Sequence, residues 1–124
     1  MNLLEHLQIQ TKELTKEKVT LTMNVASFHK QPYGIVHGGI NAVLLETACS
    51  IGANEQFSNE NAYAVGVDLQ VNHLKSVLDG TLTVIAKPNH IGGSLQVWEG
   101  KIFNESKELI SVGRCTLIKR ISKQ

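Results

Sequence analysis

Apolar and polar residues alternate from Val19 onward: Val19, Leu21, Met23 and Val25 are separated by Thr20, Thr22 and Asn24, the period of a strand with one face buried. Ahead of it, Leu3, Leu4 and Leu7 share one side of a short helix predicted over residues 2–9. The segment "HKQPYGIVHGG" then mixes turn formers with a few apolar anchors, and Pro32 and Gly34 break regular pairing. A helix follows. Ile40, Val43, Leu44, Thr47, Ala48 and Ile51 recur at i, i+3, i+4, i+7, i+8 and i+11, the stripe expected of a helix facing a sheet. A second side stacks Ala42, Glu46 and Ser50 at i+4 steps, and Leu45 and Cys49 leave little of the helix charged. Such a helix belongs at the centre of a fold.

After the polar loop "NEQFSNENA" come four strand-like runs: "YAVGVDLQVNHL", with Val65, Val67, Leu69 and Val71 alternating, then "GTLTVIAKPNH", "SLQVWEGKIF" and "LISVGRCTLIKR". The connectors "SVLDG", "HIGGS" and "NESKE" are short and rich in turn formers, as antiparallel hairpins require. One strand, a long helix and four antiparallel strands predict a single α+β domain over residues 1–124, core about 19–119, with the sheet wrapped around the helix. One copy covers only one side of that layer, so a dimer is expected.

Composition narrows the function classes. Twelve Lys and Arg against eleven Asp and Glu give a net charge of +1, no general attraction for nucleic acid or an anionic membrane. "MNLLEHLQIQTKELTKEK" lacks the basic region and unbroken apolar core of a secretory signal, and no run reaches the length of a membrane span, so a cytoplasmic location is expected. Cys49 and Cys115 then read as buried thiols in a reducing compartment rather than a disulfide. His6, His29, His37, His73 and His90 are scattered without metal-ligand spacing, and no GxSxG elbow is present, so neither a metal centre nor a serine nucleophile is expected.

The candidate chemistry lies in "HGGINAVLLE". A carboxylate within so apolar a helix is costly unless neutralised, paired or used. Gly38 and Gly39 stand where the helix opens, with unpaired N–H groups and the positive dipole end available to an oxygen that is or becomes negative. Two readings fit the glycines equally well: an oxyanion hole, or a tight turn into the helix. Glu46 lies eight residues beyond Gly38, about 12 Å along the axis. If both act on one substrate, one of them comes from a second copy of the helix. Gln31, His37 and Ser50 are polar candidates for the same site.

Gln31-Pro32, Val36, His37-Gly38-Gly39 and Glu46, together with "NHLKS" and "HIGGSLQVW", resemble the hotdog-fold acyl-CoA thioesterases. The likeness runs from about residue 19 to 119 and is greatest to the PaaI-like branch that holds the Arthrobacter-type 4-hydroxybenzoyl-CoA and the 1,4-dihydroxy-2-naphthoyl-CoA thioesterases. The resemblance implies a long helix wrapped by an antiparallel sheet, a dimer, and a tetramer formed as a dimer of dimers. It implies that Glu46 serves as nucleophile or general base, that the Gly38 N–H polarises the thioester carbonyl, that Gln31 and His37 line the site, and that Ser50 supports the carboxylate or its water. It also implies coenzyme A contacts: His73 and Lys75 at the nucleotide phosphates, and Gly92, Gly93 and Ser94 where backbone approaches the pantetheine or nucleotide. Arginine is common in relatives where Lys75 stands; lysine keeps the charge without the bidentate fork. No cofactor is implied, coenzyme A being part of the substrate. Tyr33, Leu45, Cys49 and Phe57 are expected to shape the acyl pocket, with the acyl group itself left open. The competing reading is an acyl-CoA-binding or sensing module; Glu46, and the lack of a DNA-binding output segment in these 124 residues, weigh toward an enzyme.

Overall fold

In the computed structural model, which describes residues 1–122, the chain opens with α1 (Leu3–Leu7), capped by the Asn2 side chain accepting from Glu5 N at 3.0 Å. Gln8, in the left-handed region at φ 59°, turns the chain into β1 (Ile9–Leu14). The predicted helix over residues 2–9 is therefore shorter, and β1 is a strand the pattern did not announce. "IQTKEL" shows no apolar alternation because five of its six residues are exposed; it is held by pairing along β2 (Val19–Asn24), from Ile9 opposite Met23 to Leu14 opposite Val19.

After a 3₁₀ turn (Ser27–His29) come α2 (Gly38–Glu55), β3 (Ala62–His73), β4 (Thr81–Ile91), β5 (Leu95–Phe103) and β6 (Leu109–Ile121). The six strands form one antiparallel sheet in the order β1-β2-β4-β5-β6-β3, and α2 packs against every strand of it. The predicted hotdog arrangement is what the chain adopts. Alternation works as expected in β2 and β4: Val19, Leu21, Met23, Leu82, Val84 and Ala86 are buried against the helix. In β3 a bulge between Gly66 and Asp68 shifts the register, so Val67, expected inside, is exposed.

The predicted sheet-facing stripe of α2 is also corrected. The buried face is Asn41, Leu44, Leu45, Ala48, Cys49, Gly52 and Ala53, rotated by about one residue, roughly 100°, from the stripe read in the sequence. Hydrophobicity could not separate faces on a helix apolar nearly all round. Close packing separates them: a Cβ on Gly52 would stand 2.4 Å from a Trp98 ring atom, and Leu45 occupies space that Cβ atoms on Gly100 or Gly113 would enter. Ile40, Val43, Thr47 and Ile51 remain only half-buried, on the same outward side as Glu46.

Strand β3 has β6 on one edge and no strand on the other among the described residues. It is twelve residues long, and a free edge of that length is a template for pairing with another chain.

Candidate active site

The loop before α2 folds back on itself through a bridge between Lys30 and Val36, with Gln31 N donating to Ile35 O at 2.9 Å and Gly34 at φ 87°. The Gln31 side-chain oxygen accepts from Tyr33 N, which leaves its NH₂ group to donate elsewhere. His37 is the N-cap of α2, and its Nδ1 accepts from Gly39 N at 2.8 Å. The two glycines are thereby distinguished. Gly39 spends its donor on His37, whereas the Gly38 N–H meets no acceptor among the described residues and stays available at the positive end of the helix dipole.

Glu46 stands in the middle of α2 and is exposed in the single chain, so its charge carries no burial cost there. Its carboxylate lies over Gly66 at the β3 bulge: a Cβ added to Gly66 would stand 2.6 Å from Oε2. Leu4 of α1, Thr47, Ser50 and Ile51 complete a cleft of about 280 Å³ around it. Ser50 does not bond Glu46; its carbonyl and Oγ accept from Asn54 Nδ2 at 2.8 and 3.4 Å. Asn54 also receives Ala64 N at 2.9 Å and donates to Ala64 O at 3.3 Å, tying the end of α2 to β3. Gly66 and Asn54 were not singled out in the sequence. A glycine interrupting the strand run "AVGVD" was the readable signal for the first; nothing local marks the second.

The expected acyl-pocket set is largely displaced. Leu45, Cys49 and Phe57 are 0%, 1% and 9% exposed and belong to the core, and Tyr33 projects into solvent. Burial pushes the Cys49 thiol far up, with Cys115, Glu46 and Glu99 adding to it. Burial, then Glu46 and Asp68, push Cys115 up to about 11. Both cysteines are free, inert thiols.

His73 closes β3 beside the start of α2. Its Nδ1 is 2.9 Å from Ser111 Oγ, and its Nε2 would be 3.1 Å from a Cβ on Gly38. Lys75 is engaged by Glu108; hydrogen bonds from Lys75 and then Asn104 hold the Glu108 carboxyl below its usual value. Gly92, Gly93 and Ser94 form the β4–β5 turn, with Gly92 N donating to Leu95 O at 2.8 Å and Ser94 O accepting from Lys119 N at 2.9 Å. Strand β6 measures the separation: His73 is opposite Ser111, while Ser94 meets Lys119, about 26 Å further along at 3.3 Å per residue. Gln31, His37, Gly38, His73 and Lys75 thus gather at one end of the molecule. Glu46, Ser50 and the 92–94 turn lie toward the other, and one chain does not unite them.

One antiparallel sheet packed against a long helix, with a free amide at the helix start and an outward carboxylate two turns on, makes a hotdog fold. Residues 33–111 match the thioesterase superfamily, and the chain belongs to it. It is 38% identical to a 1,4-dihydroxy-2-naphthoyl-CoA hydrolase of Listeria monocytogenes, over 94% of each chain. A crystal structure of a thioesterase of Haemophilus influenzae superposes with a TM-score of 0.92 at 31% identity, over 98% of this chain and 84% of that one. A Staphylococcus aureus protein, solved with a glutamate replaced by alanine, gives 0.94 at 34% identity over 97% and 99%.

No helix among the described residues is long and apolar enough to cross a membrane.

Proposed function

We propose that the chain hydrolyses acyl-CoA thioesters to a carboxylic acid and free coenzyme A at a site shared between two copies. Glu46 of one copy attacks the thioester carbonyl or deprotonates a water that does so. The Gly38 N–H of the other copy holds the carbonyl oxygen as it gains charge. Gln31 and His37 line the Gly38 half. In the Glu46 half Ser50, one turn further along the helix, supports the water. When the tetrahedral adduct collapses, the C–S bond breaks and the sulfur leaves as thiolate, taking up a proton in water; where Glu46 itself attacked, a water then cleaves the mixed anhydride, releasing the carboxylic acid and restoring the Glu46 carboxylate.

The observation that carries this reading is the separation of two complementary half-sites on one rigid element. Gly38 and Glu46 belong to one uninterrupted helix and stay about 12 Å apart along it. A two-fold axis midway between them would bring each to the other's mate. The same operation, passing midway between Gly66 and His73 on β3, would join the free β3 edges and set each Gly66 beside the partner's His73. It would also carry the 92–94 turn of one copy toward Lys75 of the other, so that both elements the resemblance assigns to coenzyme A could meet one substrate. A further support comes from the Staphylococcus aureus protein. It was also solved with a glutamine replaced by alanine, and that glutamine and its replaced glutamate are separated by the same fifteen positions as Gln31 and Glu46.

The test is thiol release from benzoyl-, phenylacetyl-, dihydroxynaphthoyl- and short and long aliphatic CoA thioesters by the wild type and Glu46→Gln. Turnover of one acyl class, abolished in the folded variant, is expected. Tight binding without turnover would make the protein an acyl-CoA sensor, and turnover indifferent to the substitution would remove Glu46 from the mechanism.

A further inference from the structure

Beneath His73 lies a buried polar chain that the proposed mechanism leaves unused. Ser111 is 0% and Asn41 5% exposed, and they face each other from β6 and α2. Asn41 Nδ2 donates to Ser111 Oγ at 3.1 Å, and Ser111 Oγ is 2.9 Å from His73 Nδ1. Asn41 Oδ1 has no hydrogen-bond partner among the described residues. Inverting the Asn41 amide would instead strand two N–H donors, and buried orphan donors are rarer than orphan carbonyl oxygens. With Asn41 donating, Ser111 keeps its own hydroxyl proton to give, and the acceptor in reach of it among the described residues is His73 Nδ1. The remaining imidazole proton then sits on Nε2, the nitrogen beside Gly38. His73, Asn41 and Gly38 share the lining of one hollow of about 230 Å³ with Lys75 and Val36.

We propose that Ser111 and Asn41 are positioning residues that fix His73 as a neutral Nε2–H donor, aimed at a carbonyl oxygen of the thioester-bearing pantetheine arm rather than at the nucleotide phosphates. This rests on Gly38 receiving the thioester, since it is the hollow beside Gly38 that the arm would fill. Two features of the hollow match such an arm. A fixed donor on His73 and an unfilled acceptor on Asn41 complement a chain of amides, which carries both functions. The resemblance's assignment of His73 to phosphate is therefore revised, and Lys75 is left as the cationic group at this end.

Ring ¹⁵N shifts of His73, assigned with His73→Ala and read above the ordinary imidazole titration range, test the tautomer directly in the wild-type protein. Protonated Nε2 is expected; protonated Nδ1 would overturn the proposal. Asn41→Asp, nearly isosteric, offers Ser111 a carboxylate to donate to, and is expected to move the ring toward Nδ1–H and lower kcat/KM about tenfold, the worth of one lost hydrogen bond. If that variant fails to fold, Ser111→Ala serves in its place. His73→Ala is then compared with wild type on an acyl-CoA and on the same acyl group carried by pantetheine, which has no nucleotide phosphates. An equal loss on both is expected, and a loss confined to the acyl-CoA would return His73 to the phosphates. Glu46→Gln run beside them separates the two levels: activity surviving in it refutes the shared-site mechanism whatever His73 does.

Discussion

Replacing Gly66 by alanine isolates the placement of the Glu46 carboxylate from the stability of the fold. The added Cβ would lie 2.6 Å from Glu46 Oε2, where ordinary contact begins at 3.4 Å, and 3.5 Å from Cys115 Sγ, which needs no adjustment. The carboxylate must therefore retreat by about 1 Å, a misplacement that costs a reaction about a hundredfold when the group is the attacking one. The backbone at Gly66 is not in the left-handed region, and alanine in a strand interior is favoured over glycine by about 0.5–1 kcal/mol. The variant is thus expected to melt at or slightly above the wild-type temperature while losing about a hundredfold in kcat. Thiol release and thermal unfolding on the same preparations read both quantities. In a Glu46→Gln background the Gly66 substitution should cost nothing further, because the group it displaces is already inert. Wild-type kcat in Gly66→Ala, or an undiminished loss in the double variant, would refute the placement.

Other consequences follow from the same contacts. Glu108→Gln should free Lys75 from its ion pair and lower KM for acyl-CoA a few-fold without changing kcat, with no effect on acyl-pantetheine; an unchanged KM would remove Lys75 from phosphate binding. Leu4→Ala widens the cleft beside Glu46 and should shift the acyl preference toward bulkier groups in competition assays, while Cys49→Ala, inside the core, should not. Burial, then Glu46 and Asp68, push the Cys115 thiol up to about 11 in the fold, above its ordinary value of 9.0. The unfolded chain therefore releases that proton first, and the contribution, full below 9.0, is lost as pH rises through this window. Urea midpoints should fall more steeply there in wild type than in Cys115→Ala. Thiol reagents at neutral pH should leave both cysteines unmodified until the chain unfolds.

What could be read from the sequence tracks where side-chain pattern and structure share one cause. Strands β2 and β4 were legible because one face is buried and the other is not, and the start of α2 was legible because His37-Gly38-Gly39 ends a turn-rich segment. Strand β1 was not, since an edge strand exposed on both sides has no pattern to show. The face of α2 was misread because Gly52, Gly100 and Gly113 select it by making room for Trp98 and Leu45, a fit between positions far apart in the chain. In the site, the eight-residue spacing of Gly38 and Glu46 was legible, with the condition that a second copy is needed if both act on one substrate, and the continuous helix keeps that spacing. Gly66, Asn54 and the Asn41–Ser111–His73 chain each depend on contacts across the sheet that no local window contains.

The claim that one site draws on two copies is tested most directly by mixing two inactive proteins. Glu46→Gln removes the attacking group, and Gly38→Val crowds the donor at the helix start. Unfolded and refolded together at equal concentration, half of the dimers carry one chain of each kind. In such a dimer both lesions fall in one shared site and the other site is intact, so about one quarter of wild-type activity should return. If each chain houses a complete site, every site in the mixture carries a lesion and no activity will appear.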